Sequence, residues 1–113
     1  MRKKERIAKQ ICDALKMFYL KCLITPLRGN ISVKLGDTIL MTPSSFVPKI
    51  RLKYELKPED LVEVNLNRNV IKGGCLTTGL PIHLVIYREC EKYKAIVHIP
   101  YMEFTLLCLD QMR

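Results

Sequence analysis

The chain has 113 residues, of which 49% are hydrophobic and 27% are charged, a balance that is typical of one globular domain and excludes predominant disorder. The formal net charge of +8 favours anionic partners such as nucleic acid, an acidic protein or a phosphorylated metabolite, although a basic surface that serves only solvation explains it as well. The longest nearly apolar run, 95–109, is interrupted by histidine, proline and glutamate and is too short to span a bilayer, so we expect no membrane segment.

Five cysteines are spread along the chain without a C-x-x-C pair. Their odd number argues against a disulfide framework. The N-terminal stretch MRKKERIAKQ has charge but no apolar core, so it does not read as a secretory signal. We therefore expect a cytoplasmic protein with reduced, buried thiols.

The first part of the chain predicts a helix followed by a β-hairpin. Residues 3–21 have an apolar stripe at helical spacing, and Pro26 ends the pattern. The stripe comprises Ile7, Ile11, Leu15, Phe18 and Cys22. The segment 29–43, GNISVKLGDTILMTP, alternates apolar and polar residues on both sides of Gly36-Asp37, which predicts two strands joined by a turn.

The middle of the chain predicts a loop and a second pair of strands. Residues 44–57 have no clear period and predict an extended loop. The sequence KPED at 57–60 is typical of a turn, and LVEVNL at 61–66 predicts a strand. The following NRN reverses the chain toward a short return strand at 70–71.

The last part predicts a helix, a strand and a closing helix. Within 77–93, Thr78 is a candidate N-cap, and Pro81 suits the first turn of a helix. The run KAIVHI at 94–99 predicts a buried strand, and 101–112 predicts the closing helix. The order of elements indicates an α/β protein.

Three segments in this order carry a resemblance to a known family: RGNISVKLGDTILMTPSS at 28–45, LKPEDLVEVN at 56–65 and TTGLPIHLVIYRECEKYKAIVHIPY at 77–101. Together they resemble the class II aldolase/adducin family, whose enzymes include L-fuculose-phosphate aldolase and ribulose-phosphate 4-epimerase. The likeness is to the N-terminal half of a family domain. It implies one truncated domain over residues 1–113 with a three-layer α/β/α fold around a mainly antiparallel central sheet.

The resemblance also implies a pocket for the phosphate of a sugar phosphate. The family pattern assigns phosphate binding to Asn30, Ser44, Ser45, Thr77 and Thr78. This chemistry is reasonable without the family, since Asn30 follows a glycine and the threonine pair precedes a helix, where free N–H groups and hydroxyls bind anions. The alternative is that these residues are only turn formers and a helix cap.

The catalytic parts implied by the family are incomplete in this sequence. Family enzymes hold a divalent metal, commonly zinc, with three histidines, two of them in a V-H-x-H run, and the chain has Val97-His98-Ile99-Pro100. His98 alone does not hold zinc in water, so we expect a retained, partly buried imidazole and no cofactor unless the family metal site survives. The acid/base motif S-S-E becomes Thr77-Thr78-Gly79, and glycine transfers no proton.

These observations predict a binding or assembly module that keeps a phosphate or sugar-phosphate pocket and has lost catalysis. The apolar last segment predicts a homo-oligomer or a partner protein. One alternative is half of a split metal-dependent sugar-phosphate aldolase, a carbon–carbon lyase that a partner chain completes. A further alternative is a small basic nucleic-acid-binding protein, which the absence of any RNP-like, KH or helix-turn-helix signature disfavours.

Overall fold

A computed structural model of the protein describes residues 2–25, 29–44, 52–73 and 79–99. The helices are α1 (Lys3–Leu20) and α2 (Leu80–Glu89). The strands are β1 (Asn30–Leu35), β2 (Thr38–Met41), β3 (Val62–Asn65), β4 (Val70–Lys72) and β5 (Ala95–His98). Of the helices in these ranges, neither is long and apolar enough to cross a membrane.

The strands form one antiparallel sheet in the order β4-β3-β2-β1-β5, with α1 and α2 on opposite faces. Successive side chains of a strand point to opposite faces, so Ile39 and Met41 pack with α2 while Leu40 between them packs with α1. This arrangement confirms the predicted α/β architecture with a mainly antiparallel central sheet. A helix therefore packs against each face of the sheet.

Helix α1 is confirmed almost to its predicted ends, because its apolar stripe lies against the sheet. Ala8, Ile11 and Leu15 are buried there. The prediction that Cys22 continues the stripe is wrong. The helix ends at Leu20, and Cys22 follows it with φ of 60° and an exposed side chain, while its N–H donates to the carbonyl of Tyr19. This left-handed conformation closes the helix end.

The hairpin of β1 and β2 and the strands β3 and β4 are confirmed, and KPED forms a 3-10 turn at Pro58–Asp60 as the turn signal indicated. Helix α2 is also confirmed, with Pro81 in its first turn, but its N-cap is Gly79 and not Thr78. Glycine supplies no side-chain cap. A second 3-10 turn at Lys53–Glu55 interrupts the segment that was predicted to be loop.

Strand β5 is confirmed but is not buried. It lies at the edge of the sheet beside β1, where Val97 is 44% exposed. Only Ile96 packs against the core on the α2 side. The hydrophobic pattern was right about the strand and wrong about its position, since an edge strand has one neighbour and little cover. The predicted closing helix at 101–112 lies outside the described residues.

Candidate functional site

Four of the positions singled out in the sequence meet at one end of the sheet. Asn30 begins β1 and pairs directly with His98, which ends β5. Ser44 leaves β2 at the same end, two residues after Thr42, whose N–H donates to the carbonyl of Ile31. Gly79 caps α2 beside them, since a Cβ added there would lie 2.8 Å from Asn30 Nδ2. Antiparallel pairing thus brings the start of β1 to the ends of β2 and β5.

The remaining predicted phosphate ligands, Ser45, Thr77 and Thr78, lie outside the described residues, so their contribution stays a prediction. Ser44 is 8% exposed and Asn30 is 9% exposed. Both side chains are therefore buried. A phosphate-binding role for any of these residues remains a prediction.

The Asn30 amide is bonded to two imidazoles. Its Oδ1 lies 2.5 Å from His83 Nε2, and its Nδ2 lies 3.4 Å from His98 Nδ1. An amide oxygen can only accept and an amide nitrogen can only donate, so His83 carries its hydrogen on Nε2 and His98 accepts at Nδ1. The amide therefore joins a buried histidine to an exposed one.

A buried polar cluster extends from Asn30 under α2, and the sequence patterns give no role to it. Ser32 Oγ lies 2.6 Å from His83 Nδ1 and 2.8 Å from the Tyr87 hydroxyl oxygen, which also lies 3.1 Å from the Ser32 carbonyl oxygen. Each of these three side chains is at most 1% exposed. Burial lowers the pKa of His83 to about 4, with a smaller contribution from the charge of His98. His83 is thus neutral near pH 7.

One sequence signal points to this cluster. His83 and Tyr87 are four residues apart, which places both on one face of a helix. Ser32 gives no such signal, because its position in the alternating pattern of β1 predicts a solvent-facing residue. It is buried because α2 covers the face of the sheet that the hairpin alone leaves open. Both ring nitrogens of His83 are hydrogen-bonded, so the residue does more than fill space in the core.

His98 lies on the exposed edge strand, so the expectation of a partly buried imidazole is wrong. Within the described ranges no three histidine, cysteine, aspartate or glutamate side chains are grouped so that they can hold a metal ion. His98 itself receives the Asn30 amide N–H at Nδ1. The donor set that the described residues offer at this end of the sheet therefore does not fit the zinc centre that the resemblance implies.

The ionisable residues on the opposite face form a separate arrangement. Glu63 accepts hydrogen bonds from Lys4 and from Thr38, and it lies in a cleft of about 470 Å³ beside the start of α1. Burial raises the pKa of Glu63, but these two hydrogen bonds and the charges of Lys4 and Lys72 outweigh burial and leave the pKa below its usual value. This ion pair fastens α1 to the sheet.

The cysteine thiols in the described ranges are not arranged for chemistry. Burial raises the pKa of the Cys12 thiol to about 11, which keeps it protonated and unreactive near neutral pH. Cys22 and Cys90 are free thiols on the outside of the fold and at the end of α2. Cys12 is thus a buried thiol, as predicted, and Cys22 is not.

Residues 9–113 match the model of a family described as the class II aldolase and adducin N-terminal domain. The chain is 35% identical over 99 residues to an L-fuculose phosphate aldolase of Methanocaldococcus jannaschii, and the match covers 88% of this chain and 51% of that protein. The chain therefore spans about half the length of this relative.

Solved structures have the same fold. The structure of YgbL from Klebsiella pneumoniae superposes with a TM-score of 0.82 at 22% identity, over 95% of this chain and 50% of that one. The structure of L-fuculose-1-phosphate aldolase from Thermus thermophilus superposes with a TM-score of 0.68 at 28% identity, over 88% of this chain and 47% of that one. Both likenesses cover most of this chain.

Proposed function

Since this chain belongs to the class II aldolase and adducin family, we propose that it binds a phosphate or sugar-phosphate anion. The anion site lies at the end of the sheet where Asn30, Ser44 and the start of α2 meet. We also propose that the chain does not itself cleave carbon–carbon bonds. The observation that carries the proposal is at Gly79. A Cβ there would lie 2.8 Å from Asn30 Nδ2. The Asn30 amide therefore occupies the space that a side chain would need at the position that the resemblance assigns to the acid/base.

The polar groups at this end of the sheet support an anionic ligand. Asn30 contributes an amide and His98 an imidazole, and no described carboxylate is hydrogen-bonded to either of them. The formal net charge of +8 attracts an anion to the protein as a whole. Two or three hydrogen bonds to a charged ligand give affinity in about the millimolar-to-micromolar range.

The absence of catalysis is supported by the donor set. Aldol cleavage in this family requires a metal to stabilise the enediolate and a base to move a proton. His98 is a single imidazole whose Nδ1 accepts from Asn30, and Gly79 has no side chain. The relative of M. jannaschii carries the name of an L-fuculose phosphate aldolase, which makes L-fuculose 1-phosphate the first compound to test as a ligand.

Assembly is a further part of the proposal. The outer face of α2 exposes Ile82 and Val85, which are 57% and 55% exposed. Together with Pro81 and Ile86 they line a shallow apolar depression. This face is our candidate surface for the predicted homo-oligomer or partner protein, and light scattering tests self-association there: an assembly of the unchanged chain that keeps its size in Val85→Asp contradicts it.

The anion site is tested by calorimetric titration with inorganic phosphate and with L-fuculose 1-phosphate. Asn30→Asp has nearly the same shape but places a carboxylate against the anion, so we expect affinity to fall at least about tenfold. The matched control is Asn67→Asp, an exposed turn residue with the same change of charge. A titration of the unchanged chain that stays flat to tens of millimolar phosphate would remove the anion site.

The catalytic part is tested separately. The purified chain is incubated with L-fuculose 1-phosphate and zinc, and release of dihydroxyacetone phosphate is measured. We expect no release above background. Turnover by this chain alone overturns the statement that chemistry is lost, whereas turnover only after a second polypeptide is added supports the split aldolase.

A further inference from the structure

We infer that His83, Ser32 and Tyr87 are positioning residues that fix the orientation of the Asn30 amide and thereby present His98 to the ligand as a hydrogen-bond donor instead of a metal ligand. The inference rests on the proposed anion site and names the chemistry by which that site recognises its ligand. It follows from the directions in which the hydrogen bonds of the buried cluster can run.

The buried residues determine which atom donates in each hydrogen bond of the cluster. His83 is neutral, so its two ring nitrogens have opposite roles. Because Nε2 donates to Asn30 Oδ1 at 2.5 Å, Nδ1 must accept, and the donor 2.6 Å away is Ser32 Oγ. Ser32 Oγ then has no hydrogen left for Tyr87, so it accepts the single Tyr87 hydroxyl hydrogen at 2.8 Å, and the Ser32 carbonyl 3.1 Å away shares that hydrogen. The three side chains therefore donate in one direction, from Tyr87 toward Asn30.

The same direction continues to the surface. With Oδ1 facing His83, the Asn30 Nδ2 faces His98 and donates to its Nδ1 at 3.4 Å. A neutral imidazole that accepts at Nδ1 carries its hydrogen on Nε2. His98 Nε2 therefore offers a hydrogen and no lone pair. An oxyanion accepts such a hydrogen bond, whereas a zinc ion requires the lone pair.

Gly79 is the structural condition for this orientation. An added Cβ would lie 2.8 Å from Asn30 Nδ2 and 3.3 Å from its Cγ. Real Cβ atoms do not approach other atoms so closely, and the amide cannot rotate away without leaving His83, His98 or both. A side chain at position 79 and the Asn30 amide in its present place are therefore mutually exclusive.

The experiment reads the tautomer of each histidine in the free protein by long-range nitrogen–proton NMR of the imidazole rings. The expected spectrum shows both His83 and His98 with hydrogen on Nε2 and with Nδ1 unprotonated. A spectrum in which His98 carries its hydrogen on Nδ1 overturns the inference. Because no ligand is present, this result is independent of whether phosphate binds.

Variants then distinguish the loss of the Asn30 amide orientation from a general loss of folding stability. His83→Met fills the space but cannot donate to Asn30, so we expect both tautomers of His98 and about tenfold weaker phosphate binding. His83→Gln retains an N–H donor and is expected to recover most of both readouts. The matched control is Glu89→Gln, an exposed residue of α2 that lies outside the cluster and outside the apolar depression. Unfolding curves accompany each variant, and equal loss of affinity in His83→Met and His83→Gln overturns the inference.

Gly79→Ala provides a variant outside the cluster. If the methyl group displaces the Asn30 amide, the His98 tautomer changes while the His83–Ser32 hydrogen bond persists. An unchanged His98 spectrum in Gly79→Ala contradicts the coupling. Addition of zinc to the unchanged chain is a further test, because a stoichiometric change in the NMR signal of His98 Nε2 also contradicts the inference. Absence of phosphate binding with the expected tautomers removes the proposed function and leaves the positioning role intact.

Discussion

Acid should destabilise this protein through His83. The pKa of His83 falls from 6.5 to about 4 on folding, so the folded state prefers the neutral ring and the unfolded state binds a proton first as the pH falls. The stabilising contribution of the neutral ring is complete above pH 6.5 and is lost between pH 6.5 and about 4. A difference of this size corresponds to roughly 3 kcal/mol by proton linkage, and we expect about 2 kcal/mol after allowing for solvent screening.

Urea unfolding followed by circular dichroism measures the effect at pH 7.5, 6.5, 5.5 and 4.5 under reducing conditions. Other carboxylates also titrate in this range, so the quantity of interest is the difference between the unchanged chain and His83→Gln. Between pH 7.5 and 4.5 the free energy of unfolding of the unchanged chain should fall by about 2 kcal/mol more than that of His83→Gln. His98→Gln is the control, because His98 is exposed and its removal should leave most of the slope. Parallel curves for the unchanged chain and His83→Gln would refute the assignment.

Three backbone and ion-pair predictions accompany it, each checked by urea unfolding. Cys22 has φ of 60°, so Cys22→Gly should stabilise by about 0.5–1 kcal/mol, whereas Cys22→Ala, which keeps the Cβ, should not. Gly73→Ala should cost roughly 3 kcal/mol, because φ is 110° and the Cβ would lie 2.9 Å from the Cα of Val62. Gly36→Ala should cost only about 1 kcal/mol, since φ is 64° with no atom within 4 Å; equal costs at the two glycines would contradict this. Glu63→Gln should cost about 1 kcal/mol at pH 7, and the cost should decline as the pH falls below 4.5, the usual pKa, and through the lower pKa that Lys4 and Thr38 help to set; a cost that does not decline below pH 4.5 would contradict it.

The elements that sequence predicted well are those whose pattern is local. The stripe of α1 repeats every three or four residues, and the strands of the hairpin alternate around one turn, so each can be recognised within a window of about 15 residues. The position of β5 could not be recognised in this way. Whether a strand is central or at the edge depends on which strands pair with it. Among the described strands β5 pairs only with β1, more than 60 residues earlier in the chain.

The candidate site was likewise predictable only in part: its residues were predicted, and the hydrogen bonds among them were not. Asn30, Ser44 and His98 were singled out by the resemblance to the family, and antiparallel pairing brings the start of β1 together with the ends of β2 and β5. The bonds among them were not predictable. Ser32 reads as a solvent-facing residue until α2 is known to cover it, and the amide of Asn30 reads as available for a ligand until two imidazoles are known to flank it.

Position 79 shows why restoring one residue should not restore chemistry. The resemblance implies a glutamate there, yet in Gly79→Glu the Cβ would meet the Asn30 amide at 2.8 Å, so the substitution displaces Asn30 and with it the hydrogen bond to His98. The new carboxylate would stand beside a single imidazole, which does not hold the metal that stabilises an enediolate. We therefore expect Gly79→Glu and its steric control Gly79→Ala to remain equally inactive toward L-fuculose 1-phosphate with zinc present. Turnover by Gly79→Glu alone would mean that the base was the only part lost, and that His98 can still serve a metal.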